Sequence, residues 1–250
     1  MSLVSIIMPS YNSSKTIRAS INSILAQSYD DWELLITDDQ STDDTLEIIK
    51  DVAAKDSRIK IFQNESNSGA GISRNKSISN AQGRFIAFLD SDDMWEKDKL
   101  TKQINFMIKN GYHLTYTQYI KVDEDGNIKG KIHPPLEVDY NELLKSNVIG
   151  CLTAIYDTEK LGKVFMPSIR KRQDMALWLK ILQVIPKAYC FPEELAIYRE
   201  GRGSLSSNKL AILFVQWKFY RGYLKFNFLK SLWYFNFYIF RALKKHKLSS

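Results

Sequence analysis

Asp90, Ser91, Asp92 and Asp93 stand directly behind the apolar run 84–89, so three carboxylates and a hydroxyl gather where a buried strand would end. Carboxylate oxygens suit Mg²⁺ or Mn²⁺, and such an ion can balance the charge of a diphosphate. A single Asp at this point serves equally well as the cap of a helix starting near Trp95. Three acids exceed what a cap needs, and burying like charges together is costly unless a cation or ligand compensates them.

Other residues offer complementary chemistry. Asp39 closes a second apolar run, 32–37, where its carboxylate can accept the imide N–H of a uracil or thymine base; the polar stretch 38–42 is also ordinary turn chemistry. The Ser10-Tyr11-Asn12 segment ends the first apolar run, and the Tyr11 ring can stack on a base or simply pack at a strand boundary. Asp174 lies near the start of a helical pattern, where the helix dipole favours an ionised carboxylate, so it is both a candidate general base and a natural cap. Arg74 and Arg199 can each bind phosphate or sit solvated at the surface. His113, His133 and His246 have neither metal nor triad spacing, which leaves histidine-based hydrolysis unsupported.

Positioning these groups requires an α/β frame. Apolar runs at 3–8, 32–37, 59–63 and 84–89 alternate with helical periodicity, the pattern of βαβ units around a mostly parallel sheet. Ligands of open α/β sheets sit beyond the carboxyl ends of the strands, so Tyr11, Asp39 and the acidic cluster should face one crevice. Ser41, with Asp44 three residues on, reads as an acidic capping box for the second helix. A further amphipathic helix should end near Gly111, after which strands at 112–122 and 128–132 flank an Asp-Glu-Asp-Gly-Asn turn. Apolar residues from 177 to 185 give one face to a helix starting about Asp174 and stopped by Pro186. The expected organisation is a nucleotide-sized α/β half at 1–112, a smaller half at 113–207 for an acceptor and a base, and a basic aromatic helical tail at 208–250.

The 250 residues carry a net charge of +7, but positions 210–250 hold eight Lys or Arg and no Asp or Glu. The remainder therefore has 7 − 8 = −1, which argues against nucleic acid as the partner of the main body. Two cysteines, Cys151 and Cys190, make no disulfide framework and suit a reducing cytoplasm. The N-terminus has no basic leader, and its apolar run stops at Pro9, too short for a signal peptide. In the tail, 13 of the 31 aromatic residues are interleaved with Lys218, Arg221, Lys225, Lys230 and Arg241. Its longest uncharged run, 231–240, is far short of the roughly 20 residues a spanning helix needs. Such a tail suits an anionic membrane surface; its aromatics can also pack on the body or pair two subunits.

Together, several segments resemble the inverting glycosyltransferases of family 2 with the GT-A fold. They are VSIIMPSYN at 4–12, SILAQSYDDWELLITDDQSTD at 23–43, NSGAGISRNKSI at 67–78, GRFIAFLDSDDMW at 83–95, QDMALWLKI at 173–181 and YREGRGSLSS at 198–207. The resemblance implies a nucleotide-sugar site at Pro9, Tyr11, Asn12, Asp39, Arg74, Asp90 and Ser91, with Asp92 as ligand of Mg²⁺ or Mn²⁺. It makes Asp174 the base that deprotonates an acceptor hydroxyl, and it implies a UDP sugar as donor. Many similar short family members work in bacterial surface polysaccharide assembly, so with the tail at a membrane the resemblance implies a lipid-linked glycan acceptor; the cysteines and the tail together lead to the expectation of a cytoplasmic protein held peripherally at the inner face of the plasma membrane. Gln40 and Gln173 stand where the family often has Gly and Glu, and no His follows Arg199, which leaves Arg199 or Arg202 to meet a diphosphate. The competing reading is an inactive module that keeps the fold and binds a nucleotide sugar or a membrane. A phosphatase using the acids as nucleophile is disfavoured, because its motif would follow the first strand rather than the fourth.

Overall fold

The apolar runs fold as strands and the amphipathic stretches as helices, in the order β1 (Val4–Ser10), α1 (Ile17–Leu25), β2 (Trp32–Asp38), α2 (Thr45–Ala53), β3 (Ile59–Gln63), α3 (Ala70–Asn80) and β4 (Phe85–Phe88). The structure, a computed structural model, describes residues 2–201 and 209–247. Every residue of β1, β2 and β4 is buried, as expected of strands covered on both faces. There follow β5 (Met94–Trp95), α4 (Lys99–Asn110), β6 (Leu114–Val122), β7 (Ile128–Ile132), β8 (Glu137–Val138), α5 (Tyr140–Lys145), β9 (Ile155–Asp157), α6 (Thr158–Leu161), α7 (Gln173–Ile181) and β10 (Ala188–Arg199). The chain closes with α8 (Lys209–Lys218), a π-helical turn at Phe219–Tyr223 and α9 (Phe228–Lys247).

One sheet runs in the order β3-β2-β1-β4-β9-β6-β10-β5. Its first four strands are parallel, and antiparallel pairing enters where β9 inserts between β4 and β6. Because β2 and β3 lie on one side of β1 and β4 on the other, the strand order reverses beside β1, and a crevice opens at its carboxyl end. The sheet continues through residue 112, so the expected halves share one sheet. Both apolar clusters also draw on each side of that position, one around Ile7, Phe88, Tyr116 and Trp178 and the other around Ile6, Phe85, Ile104 and Ala196.

Local chemistry decides several boundaries. Gly111 ends α4 in the left-handed conformation at φ 66°, and the 123–127 turn is held by Asp123 accepting from the N–H groups of Asp125 and Asn127. The expected capping box does not form: α2 starts at Thr45, and Ser41 donates its Oγ–H and N–H to the buried Asp38 at 2.5 and 3.0 Å. Burial of Asp38 is the physical reason, since its oxygens need donors more than the exposed helix start does. The long strand β10 was hidden by Pro192 and two glutamates; it survives them through register shifts between Phe191 and Ala196.

The tail packs on the body with one face. Tyr220 is fully buried and donates to the Leu144 carbonyl at 2.5 Å, while Tyr234 reaches Asn141 at 3.1 Å. On the other face of α9, Phe228, Leu229, Trp233 and Phe240 are exposed. No helix among the described residues is long and apolar enough to cross a membrane.

Lys99 is an unusual core residue. It is fully buried in α4, with Nζ 2.8 Å from Gln103 Oε1 and 4.2 Å from the Trp95 ring centroid. Burial holds its pKa well below the ordinary value. The unfolded chain then binds an extra proton between that depressed pKa and about 10.4, so this site makes stability rise with pH across the window. Lys99→Met is expected to remove that slope, so the wild type should gain up to about 1.4 kcal/mol per pH unit relative to the variant. Urea midpoints measured from about pH 7 to 10 test this; a pH-independent difference would mean that Lys99 stays charged in the folded protein.

Candidate active site

Seven of the residues singled out in the sequence, Pro9, Tyr11, Asp39, Arg74, Asp90, Ser91 and Asp92, line one crevice at the carboxyl ends of β1, β2 and β4. Tyr11 follows β1 with its side chain half open to solvent, which leaves the ring free to stack. Asp39 is 3% exposed, and its Oδ1 accepts from Asn64 at 2.7 Å and from the Ser68 N–H at 2.9 Å. Its Oδ2 accepts from the Gly69 N–H at 2.7 Å. Gly69 has φ 89°, a conformation that favours glycine, and stands just before α3. The carboxylate thus shapes the loop into α3, and Oδ2 keeps a lone pair for a further donor.

Asn12 behaves differently. It adopts φ 47°, and its Oδ1 accepts from the Thr42 N–H at 2.8 Å while its own N–H donates to Ser41. It fastens the β1 loop to the β2 loop and is absent from the crevice lining. Gln40 also has positive φ, 63°, which is the physical reason a glycine suits that position.

Arg74, on α3, is 6% exposed and donates to Asp90 Oδ1 at 2.5 Å. Burial alone would lower its pKa, but the facing Asp90 and other groups around it, Asp174 among them, together outweigh burial and the net shift is upward. Its Nε is buried without a partner. Ser91 Oγ lies 2.7 Å from Ser13 Oγ, so the acidic loop is tied to the loop after β1. Asp92 opens onto the crevice, yet the surrounding protein and then the Asp90 charge push its pKa up.

Asp93 does not serve the helix behind it, which begins only at Lys99. It is 2% exposed and accepts from the Arg199 N–H at 3.0 Å, joining the acidic loop to the end of β10. Sequence separation of 106 residues hides that bond. Arg199 lies with Nη2 3.8 Å from Met94 Sδ and a buried unpartnered Nε; Arg202 is outside the described residues.

Beside the crevice is a larger cavity of about 570 Å³, which shares Ala70, Arg74 and Asp90 with it and has Asp174 in its wall. Asp174 is the second residue of α7, where the helix dipole supports a negative charge. Asn147 donates to its Oδ2 at 2.8 Å, an orienting contact with no local sequence signal. The basic run Arg170-Lys171-Arg172 and residues Tyr238 and Arg241 of α9 also line this cavity. The run is plain in the sequence; its placement by the tail helices is not. Cys151 lines it too, with its thiol pKa pushed well above normal by the surrounding protein.

Among the described residues no cluster of three or more His, Cys, Asp or Glu forms a metal cage. A cage is not what Mg²⁺ requires: it commonly takes one or two carboxylates and completes its shell with substrate phosphates and water. Asp92 fits that role, since its carboxylate opens onto the crevice beside Asp90 and accepts no side-chain donor there among the described residues.

A parallel sheet with its acids at the strand ends, continued by a second, mixed half, is the arrangement of the GT-A fold. The chain belongs to glycosyl transferase family 2, whose sequence model matches residues 5–163. It is 44% identical over 244 residues to the putative teichuronic acid biosynthesis glycosyltransferase TuaG of Bacillus subtilis (strain 168), covering 97% of each chain. It is 43% identical over 249 residues to the UDP-Glc:alpha-D-GlcNAc-diphosphoundecaprenol beta-1,3-glucosyltransferase WfgD of Escherichia coli, covering 98% of this chain and 95% of that one. Among solved structures it is similar to S. aureus TarS 1-349 in complex with UDP, at 25% identity and a TM-score of 0.68, over 79% of this chain and 60% of that one.

Proposed function

We propose that this transferase moves a glycosyl group from a UDP sugar, with inversion, to a hydroxyl of a lipid-linked glycan in bacterial cell-surface polysaccharide synthesis. The observation that carries the reading is Asp174: a carboxylate at a helix start, held by Asn147, in the wall of a cavity that opens beside the Arg74–Asp90 pair. The names of the E. coli relative, which acts on UDP-glucose and a diphosphoundecaprenol acceptor, and of the UDP-bound TarS structure support the choice of donor and acceptor.

In this reading Tyr11 stacks on the uracil ring, and Asp39 Oδ2 accepts the imide proton. Pro9 and Ser91 close around the ribose, and Arg74 holds Asp90 beside the diphosphate. Asp92 would hold Mg²⁺ or Mn²⁺, which neutralises charge on the departing diphosphate. Asp174 takes the proton of the acceptor hydroxyl as its oxygen bonds to the anomeric carbon. The bond from that carbon to the diphosphate oxygen breaks on the opposite face, so one displacement inverts the configuration. A panel assay of metal-dependent nucleoside diphosphate release, with and without glycan acceptors, tests the reading. Release from no donor would return the chain to a binding module.

The exposed face of α9, with Lys225 and Lys230 nearby, suits an anionic bilayer at the inner side of the plasma membrane. Removing the whole tail would also remove the core residues Phe219 and Tyr220, so surface changes make the better test. Leu229→Ser with Trp233→Ser is expected to reduce flotation with phosphatidylglycerol vesicles about tenfold or more while leaving the melting temperature unchanged. Equal flotation would sink membrane docking.

A further inference from the structure

The cavity beside the donor crevice carries more positive charge than its carboxylates balance. Arg74 is paired with Asp90, and Arg241 with Glu142 at 2.5 Å. That leaves Arg170, Lys171 and Arg172 facing Asp174 alone. Arg170 and Lys171 are exposed and have no ion-pair partner among the described residues. Arg172 donates to Tyr238 of α9 at 2.8 Å and stands at φ 66°, a left-handed conformation that side-chain-bearing residues rarely adopt. Strain of this kind persists where the surroundings enforce it, and it is a pointer to function. Ile212, Val215 and Ala242 of the tail helices add apolar side chains to the lining of the same cavity.

An anionic head beside an apolar chain is the chemistry such a cavity recognises. We propose that the acceptor is bound here through its own diphosphate, with Arg170 and Lys171 gripping the phosphates and the first lipid carbons lying along Ile212 and Val215. Two diphosphates would then flank Asp174, one from each substrate, with the reacting hydroxyl between them. The assignment rests on the lipid-linked acceptor proposed above. It gives the tail helices two tasks, since α9 offers Tyr238 and Ala242 to the cavity and Leu229 and Trp233 to the outside.

Calorimetric titration of the full chain with octyl diphosphate, in saturating UDP and Mg²⁺, tests this directly. The wild type should bind octyl diphosphate with UDP in place. Arg170→Ala and Lys171→Ala should each weaken it about tenfold or more, the usual scale for a charged hydrogen bond, with UDP affinity unchanged. Because both side chains are exposed, neither change threatens the fold. Unchanged octyl diphosphate affinity in both variants, or its competitive expulsion by UDP, would overturn the cavity assignment while the donor reading stands. Failure of the wild type to bind UDP would remove the donor reading and this assignment together.

Discussion

Asp174→Asn is expected to slow glycosyl transfer by about 10²–10⁴-fold, the usual scale of general-base assistance, while the Km for the donor and the affinity for UDP stay as they are. The substitution is nearly isosteric. An asparagine keeps an oxygen that can accept from Asn147, and α7 keeps its buried face of Met175, Leu177 and Trp178, so the fold should be untouched. Only the ability to take a proton is lost. The separation is possible because Asp174 lies in the larger cavity and not in the crevice that holds Tyr11 and Asp39. Asn147→Ala should have the same direction and a smaller size, since it frees the carboxylate to turn without removing its charge. Single-turnover transfer and UDP titration measure the two properties separately. Near-normal transfer by Asp174→Asn would move the base elsewhere.

The second large effect is expected at Asp92. Asp92→Asn should lower kcat/Km by about 10²–10³, because an ion worth several kcal/mol to the departing diphosphate loses its protein ligand. The variant should also stop responding to added Mg²⁺ or Mn²⁺, and EDTA should bring the wild type down to the same level. Stability is expected to hold or rise, since the surrounding protein and the Asp90 charge already disfavour ionised Asp92 in the folded protein. Wild-type activity that survives EDTA, or an Asp92→Asn protein that still responds to the metal, would exclude this role. Asp93 offers a contrast. Its carboxyl belongs to the junction with Arg199, so its loss should act through the position of that segment and not through metal response.

Much of the donor half was legible because its determinants are local. A parallel strand buried on both faces reads as an apolar run, and the residue that ends it points into the crevice by topology alone, which is how Tyr11, Asp39 and Asp90 come together. The misreadings were local as well, in a different sense. Ser41 and Asp93 both have the spacing of helix caps, and both are taken by partners that sequence cannot reveal: Asp38, a buried carboxylate short of donors, and the N–H of Arg199, 106 residues on. Asn12 has the position of a ligand residue, but its left-handed backbone turns it toward Thr42.

The tail shows the same division. Its aromatic and basic composition was plain, and the choice between packing on the body and facing a bilayer depended on which side of α9 each residue occupies. Ser231, Tyr234, Tyr238 and Arg241 recur at helical spacing toward the body, while Leu229 and Trp233 point away. Both readings of the tail draw on one helix.

By itself the sequence determined the α/β class, the strand ends that carry carboxylates and the identity of the acids, because periodicity and apolar burial are properties of neighbouring residues. Tertiary structure decided which carboxylate faces Arg74, which one is tied to β10, and that Asp174 shares a cavity with a basic run and two tail helices. Those outcomes depend on hydrogen bonds and charge pairs between residues tens to a hundred positions apart, and only the folded sheet sets their distances.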